Sequence, residues 1–451
     1  MISPKTRIFL SLSFLAASLL ALAGCNMFNN SGGTNPGGAT PPGFANTVVI
    51  GDSLSSGFEN GSLLDSLQPN GWESLVGTQA GFSLVLPLIA APGAPAVLEL
   101  TSLGPPPVVT QTSGVTTGRD NPDQQPTDLA VPGQKLNDLI NDTPTLLPTT
   151  DVDIITELIL GFPVGNDKSQ MNEAIALNPT VLFVWIGNDD ALAGDESGTP
   201  TAMTPVATFT QQYQQLLSTL HTQTKATLIV ANIPDVTAVP YLTPAATVIA
   251  DFAAATGISQ AQATTDLGIQ PGDLVNATGL QQVQTDVTAI QLGVAPSALT
   301  DAGFLDATEI SAIQSTVDQY NAAIAQQVAA VGGVLVDVST FDAGLVQNGA
   351  TINGYHATTA FLGGLFGLDG LHPTNTGYAL LANEFIDTMN TSLNTKFAEV
   401  NVSAIAAADP YFGPNIKPAG SAVSIPLNAA RRVDQLISPK NKPADLLKIK
   451  P

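Results

Sequence analysis

The chain has 451 residues, of which 44% are apolar and only 11% are charged. This composition is typical of a globular protein and excludes a largely disordered one. Acidic residues outnumber basic ones 37 to 14, which gives a net charge of -23. A charge of that sign repels nucleic acid, so we expect no nucleic-acid partner and no anionic polymer as substrate.

The N-terminus has the pattern of an export signal. Two basic residues precede the apolar run 8–23, which closes in Leu-Ala-Gly-Cys at Cys25, the only cysteine. The run is too short for a transmembrane helix, and residues 1–24 are interpreted as a signal peptide. The closing sequence resembles the bacterial lipobox, which implies acylation of Cys25. We expect an exported protein anchored by lipid in the bacterial cell envelope, and Asn26 favours the outer membrane.

Composition divides the rest of the chain into segments. Residues 25–43 are rich in Gly, Pro and Asn and are interpreted as a flexible tether to a folded domain at 44–398. Residues 241–305, rich in Ala, Thr and Gln, are expected to form a helical insertion that is either a lid or a peripheral decoration. Half of the Lys and Arg residues fall in the tail 399–451. This tail is expected to be solvated, with docking on the acidic body or on anionic headgroups as the alternatives.

Short apolar runs alternate with helical patterns through the domain. The expected strands are 48–50, 127–131, 180–186, 226–231 and 333–338, and the expected helices include 71–80, 206–220, 310–328 and one opened by Pro373. Residues 82–100 are expected to be extended, and 103–128 to form a polar loop. Strands that alternate with helices predict a parallel sheet covered by helices on both faces.

Polar residues and glycines follow three of the predicted strands, at the edge where parallel sheets bind ligands. Asp52 and Ser53 follow the first, Gly133 the second and Asn188 the third. A strand that ends in Gly-Asp-Ser is more commonly an ordinary turn capped by Asp, so Ser53 needs further support as a nucleophile. Asn188 directly after a buried strand suits a rigid oxyanion donor, and Gly133 lets the backbone approach a ligand closely.

A nucleophilic hydroxyl also needs a base, and the chain has three histidines. His221 has no acidic neighbour, and His356 lies in a polar segment. His372 follows Asp369 by three residues in Asp-Gly-Leu-His-Pro, so one tight turn lets the carboxylate reach one ring nitrogen while the other faces a pocket. These residue types therefore predict a hydrolytic site with Ser53 as nucleophile, His372 as base and Asp369 as the orienting group.

Four separated blocks resemble the SGNH hydrolases, the GDSL esterase and lipase family, in that family's order. They are Gly-Asp-Ser-Leu at 51–54, Leu-Ala-Val-Pro-Gly at 129–133, Gly-Asn-Asp at 187–189 and Asp-Gly-Leu-His-Pro at 369–373. The resemblance covers roughly 44–396. It implies a three-layer α/β/α sandwich with a mainly parallel, flavodoxin-like sheet of five strands.

The same resemblance implies roles for individual residues. Ser53 attacks the carbonyl of an acyl ester, His372 is the base, and Asp369 orients it. The Ser53 N–H, the Gly133 N–H and the Asn188 side-chain amide form the oxyanion hole. We expect a small-molecule or lipid ester as substrate and no cofactor.

Three alternatives stay open at the level of sequence. The same residues would serve acyl transfer to an alcohol or sugar. A lipid- or glycan-binding lipoprotein on an inactive scaffold should lack the Ser, Asn or His, and none is missing. The acidic group Asp189, Asp190, Asp195 and Glu196 suggests a cation site, but we expect a solvated loop there and no catalytic metal.

Overall fold

The computed structural model describes residues 42–104 and 107–416. The predictions about the signal peptide, Cys25, most of the tether and the tail beyond 416 lie outside the described residues. Within those ranges the strands are β1 (Thr47–Gly51), β2 (Leu98–Ser102), β3 (Val108–Gln111), β4 (Val181–Trp185), β5 (Thr227–Ala231), β6 (Thr243–Pro244), β7 (Leu274–Val275), β8 (Phe304–Leu305), β9 (Val334–Val336), β10 (Ala350–Ile352) and β11 (Tyr355–Ala357). The helices are α1 (Trp72–Ala80), α2 (Leu136–Asn141), α3 (Asp151–Leu160), α4 (Gln170–Ala176), α5 (Asn188–Ser197), α6 (Val206–Gln223), α7 (Ala245–Thr256), α8 (Gln260–Leu267), α9 (Ala277–Gln291), α10 (Ala307–Val331), α11 (Val338–Asn348), α12 (Asn375–Ser392) and α13 (Val402–Ala408).

The predicted parallel sheet is confirmed, with strand order β1-β4-β5-β9. Every residue of β1 and β4 is buried, because both faces of the sheet are covered. Successive side chains alternate between two apolar cores: Val48 and Ile50 pack with Phe209 of α6 on one face, and Val49 packs with Trp72 of α1 on the other. The architecture is therefore the three-layer α/β/α sandwich.

The fifth predicted strand, residues 127–131, is less regular than expected. It forms one parallel bridge to β1, between Val49 and Asp128, flanked by backbone hydrogen bonds of 2.9 to 3.1 Å. The Asp128 carboxylate accepts the Ala130 N–H at 3.1 Å, a local turn contact that competes with strand geometry. The sheet is thus four regular strands with this segment at the outer edge of β1. The resulting order, second-first-third-fourth-fifth along the chain, is the flavodoxin-like one.

Two other segments differ from the sequence predictions. The predicted loop 103–128 contains β3, which pairs with β2 as an antiparallel hairpin. The last long helix begins at Asn375 and not at Pro373, because Thr374 is its N-cap and accepts the Gly377 N–H at 3.1 Å.

The folded region also continues past the predicted boundary at 398. Helix α13 follows α12, and Asp409 accepts the N–H and the hydroxyl of Thr376 at 2.8 and 2.6 Å. Asp409 is fully buried. Residues 402–416 are therefore part of the domain and not of a solvated tail.

Residues 241–305 contain the helices α7, α8 and α9 and a small sheet of order β6-β7-β8. They enclose an apolar core of their own, with Phe252 and Leu267 at its centre. The Asn276 amide joins this unit to the end of α5 by donating to the carbonyls of Asp195 and Glu196 at 3.0 and 3.1 Å. The segment is a helical unit, and its role as a lid stays a prediction.

Candidate active site

Ser53 lies at the carboxyl end of β1 in a single 3-10 turn over Ser53–Ser55. Asp52 caps the turn by accepting the Leu54 N–H at 3.1 Å. A side chain of α4 fixes the end of the strand. Gln170 accepts the Gly51 N–H and donates to the Gly51 carbonyl, both at 2.9 Å. Ser53 is only 8% exposed. Its hydroxyl is thus presented by a rigid turn at the sheet edge.

His372 and Asp369 form a buried pair. The His372 Nδ1 lies 3.0 Å from the Asp369 Oδ2, and the same carboxylate accepts three backbone N–H groups, from Gly61 at 2.6 Å and from Leu371 and His372 at 2.9 Å. Burial alone raises the pKa of Asp369, but the charge of His372 and these hydrogen bonds outweigh it and lower the pKa. An ionised carboxylate at Nδ1 holds the proton there and leaves Nε2 as the acceptor.

The loop 358–374 carries Asp369 and His372 and is called the Asp-His loop below. It is bound to the chain that follows Ser53. The centroids of the Phe58 and His372 rings are 4.6 Å apart, and the Asn60 Oδ1 accepts the Leu368 N–H at 2.7 Å. The His372 Nε2 is buried and has no hydrogen-bond partner within the described residues. Ser53 is therefore not bonded to it in this structure, as is common in hydrolases without substrate, where this contact tightens on binding.

Asn188 is the first residue of α5 and follows β4 through Gly187. The φ of Gly187 is +114°, and a Cβ there would lie 2.9 Å from both Phe209 and Ile233, so only glycine fits this turn. The tight turn delivers the Asn188 side chain to the edge that carries Ser53. Asn188 thus lies at the end of β4, and its role as an oxyanion donor stays a prediction.

Asp52 holds the Asn188 amide in place. The Asn188 Nδ2 donates to the Asp52 Oδ2 at 2.9 Å, which occupies one of its two N–H bonds and leaves the second for a ligand. The hydrogen bonds from Asn188 and Leu54 lower the pKa of Asp52, but burial outweighs them and raises it to about 6. Sequence reasoning treated Asp52 as a turn cap only and missed this contact.

Gly133 lies just beyond the segment that pairs with β1, and its φ is +81°. The Val131 N–H donates to the Gly51 carbonyl at 3.1 Å. Gly133 follows Val131 by two residues and so lies near the end of β1, where Ser53 is located. On its other side, Asp190 of α5 accepts the Leu136 N–H at 2.8 Å. The Gly133 loop is therefore tied to both Ser53 and Asn188 through neighbouring residues.

The other two histidines lie away from this edge. His221 is exposed in the last turn of α6, and His356 is exposed on β11. The structure brings together Ser53, Gly133, Asn188, Asp369 and His372, and it leaves His221 and His356 outside.

The acidic group after Asn188 does not form the solvated loop expected from sequence. Asp189, Asp190 and Asp195 belong to α5 and are buried, because α5 packs against the sheet edge and the helical insertion. Burial raises the pKa of Asp190 to about 6 and that of Asp189 well above its ordinary value. In the part of the chain that the structure describes, no His, Cys, Asp and Glu side chains are grouped so as to hold a metal ion.

An apolar cleft opens beside Asn188. Its walls come from the Asp-His loop, from the chain after β5 and from α11 and α12. Representative lining residues are Leu54, Trp185, Val236, Phe341, Phe366 and Leu371. Among the residues that line it, Asp342 is the only one with an ionisable side chain. The cleft is thus suited to a largely apolar group placed beside Asn188.

No helix among the described residues is both long and apolar enough to cross a bilayer. No curated protein matches the chain at a significant level.

Three solved structures similar to this chain are hydrolases. An α/β hydrolase from the Lake Arreo metagenome is 14% identical, with 78% of this chain and 99% of that chain covered at a TM-score of 0.35. Phospholipase A1 from Streptomyces albidoflavus is 14% identical, with 77% and 99% covered at 0.32, and a lipase/acylhydrolase from Enterococcus faecalis is 13% identical, with 78% and 98% covered at 0.32. Similarity at TM-scores this low does not assign a function to this chain.

The family assignment comes from the sequence match. The model of the GDSL-like lipase/acylhydrolase family matches residues 48–385, a span that begins in β1 and ends in α12 and so includes each block of the site. The chain therefore belongs to the GDSL-like lipase/acylhydrolase family, and it is a hydrolase of carboxylic esters.

Proposed function

We propose that the chain hydrolyses acyl esters by a serine mechanism in which His372 is the base and Asp369 orients it. The observation that carries this proposal is the buried pair itself: Asp369 binds Nδ1 at 3.0 Å, and Nε2 has no partner among the described residues. A neutral imidazole in this tautomer accepts a proton only at Nε2. Ser53 supplies that proton from the adjacent edge of the sheet.

The steps follow from that assignment. His372 Nε2 takes the Ser53 hydroxyl proton as Oγ bonds to the ester carbonyl carbon, and the carbonyl oxygen becomes an oxyanion. The bond to the alcohol oxygen then breaks, and His372 returns the proton to the leaving alcohol. Water activated by His372 attacks the acyl-enzyme, which releases the acid and restores Ser53. Asp369 stabilises the imidazolium that forms in each half-reaction.

Three donors are available for the oxyanion. The Ser53 and Gly133 N–H groups come from the backbone, and the second N–H of the Asn188 amide comes from a side chain that Asp52 holds at 2.9 Å. Donors fixed before the reaction stabilise developing charge without reorganisation, and loss of one such donor lowers kcat by about 10²- to 10³-fold. The cleft beside Asn188 holds a non-reacting portion of the substrate.

A panel of p-nitrophenyl esters of graded chain length, with the chain lacking residues 1–43, tests the mechanism. Ser53→Ala and His372→Ala should each nearly abolish hydrolysis, and the double variant should lose little more, since the two groups act as a unit. A fluorophosphonate should label wild type at Ser53 and not Ser53→Ala. The matched controls His221→Ala and His356→Ala replace exposed histidines and should retain activity. Hydrolysis by folded Ser53→Ala would exclude the mechanism.

We also propose that the protein is exported and anchored through acylated Cys25, in keeping with Leu-Ala-Gly-Cys at 22–25. The full chain should partition into detergent after membrane extraction. Cys25→Ser should release it or leave it unprocessed. Equal processing and membrane recovery of the two forms would refute the anchor.

A further inference from the structure

Asp342 is a carboxylate placed in an apolar cleft without a partner. It lies on α11, which follows β9, and it lines the cleft with Val338, Phe341 and Leu345 of the same helix. Among the described residues none donates a hydrogen bond to it or pairs with it. The side chain is partly exposed, so it stays solvated in the free protein, and a ligand that covers it must supply a complementary group.

The surroundings of Asp342 are negative. Burial and, to a smaller extent, the nearby charge of Asp235 together raise its pKa to about 6, so the carboxylate is mostly ionised at neutral pH. Asp235 accepts hydrogen bonds from Thr237 and Gln314 and offers Asp342 no positive charge. No Lys, Arg or His belongs to the described cleft lining. The cleft therefore favours a positively charged ligand group and disfavours an anion.

Three aromatic rings line the same cleft. Phe341 lies next to Asp342 in sequence, Phe366 belongs to the Asp-His loop, and Trp185 ends β4. Aromatic faces attract organic cations, and the attraction is larger where water is excluded. A quaternary ammonium suits such walls, because it carries charge but no N–H groups that would need hydrogen-bond acceptors.

Asp342 and Asn188 line the same cleft, on chain segments that follow two strands of the sheet. Asn188 follows β4, and Asp342 lies shortly after β9, two positions along the sheet order. With parallel strands roughly 5 Å apart, these two strand ends are about 10 Å apart. A substrate whose carbonyl lies beside Asn188 would bring a group several bonds away into reach of Asp342.

We propose that Asp342 selects esters whose non-reacting portion ends in a quaternary ammonium group, held by this carboxylate and by the aromatic walls of the cleft. The inference rests on the proposed serine esterase activity and names a substrate class for it.

The test compares charged and neutral substrates of the same shape. Trimethylammonio-alkyl butyrates with spacers of graded length are each paired with the isostere in which carbon replaces nitrogen. In wild type the ratio of kcat/KM, charged over neutral, should reach about tenfold or more at the best spacer. Asp342→Asn keeps the size of the side chain and removes its charge, and it should lower that ratio by about tenfold.

The matched control is Asp318→Asn, the same change of charge on an exposed face of α10. It should leave the ratio unchanged. A wild-type ratio near one with normal hydrolysis of the neutral esters would overturn the inference and leave the serine mechanism intact. The same ratio in wild type and Asp342→Asn would also overturn it. Failure of wild type to hydrolyse any neutral ester would instead refute the proposed function.

Discussion

Replacing Asp52 by Asn tests whether this carboxylate, rather than α5 alone, aims the Asn188 amide. Asp52 accepts the Leu54 N–H at 3.1 Å on one oxygen and the Asn188 Nδ2 at 2.9 Å on the other, and it also accepts the Asn188 backbone N–H. An amide has one acceptor oxygen and one donor nitrogen. Asp52→Asn therefore leaves at least one donor facing another donor, and the Asn188 amide should turn away from its present position.

The loss of kcat in Asp52→Asn cannot exceed the transition-state stabilisation that the Asn188 amide contributes by much. Loss of one oxyanion donor lowers kcat by about 10²- to 10³-fold, equivalent to roughly 3–4 kcal/mol of transition-state stabilisation. Asp52→Asn should approach the lower end, about 10²-fold, because the backbone donors at Ser53 and Gly133 do not depend on this contact. KM should change much less, since the contact acts when the oxyanion forms.

A double-mutant cycle isolates the coupling. Steady-state hydrolysis of a p-nitrophenyl ester is measured for wild type, Asp52→Asn, Asn188→Ala and the double variant, with circular dichroism as the check of folding. Once Asn188 is Ala, Asp52→Asn should cost little further activity, because the group that it positions is gone. Losses that multiply fully in the double variant would refute the reasoning, as would wild-type kcat in Asp52→Asn.

Asp190 accepts the Leu136 N–H beside the Gly133 loop, so Asp190→Ala should lower kcat by about tenfold while fluorophosphonate labelling of Ser53 persists; unchanged kcat would contradict this positioning role. Asp128 faces Glu73, and burial raises the pKa of Asp128 to about 8 and that of Glu73 well above its ordinary value. Because the folded protein holds the Asp128 proton more tightly than the unfolded chain does, this group contributes most to the free energy of unfolding below its unfolded pKa near 3.8. That contribution is lost as pH rises toward about 8. The Tm should therefore fall by several degrees from about pH 5 to about pH 9, and by less in Asp128→Asn; equal slopes would refute this origin. Trimming 241–305 to a short linker should change the preference between short and long acyl esters if the unit is a lid, and an unchanged profile in a folded protein would make it a peripheral decoration.

Local patterns in the sequence were enough to predict the main elements of the fold. The buried runs at 48–50, 180–186, 226–231 and 333–338 became β1, β4, β5 and β9, because a strand covered on both faces must be apolar throughout. Helix α10 begins with a capping box in which Asp306 and Glu309 bond each other's backbone N–H groups, a contact between residues three positions apart.

The pairing of Asp369 with His372 was also readable from the sequence. The two residues are three positions apart on one turn, so their contact at 3.0 Å depends only on local backbone geometry, which can be predicted from their spacing. The end of β1 at Gly51 placed Ser53 at the sheet edge in the same way.

Contacts between distant parts of the chain were decided by the tertiary structure. Asp52 and Asn188 are 136 positions apart, and the Gln170 that holds Gly51 is 119 positions from it. The burial of the acidic residues of α5 likewise depends on the packing of the insertion around them, and so a run that reads as solvated is enclosed. The reason is that strand and turn signals arise from neighbouring residues, whereas the partner of a buried polar group is fixed only when packing removes it from water and requires a hydrogen bond.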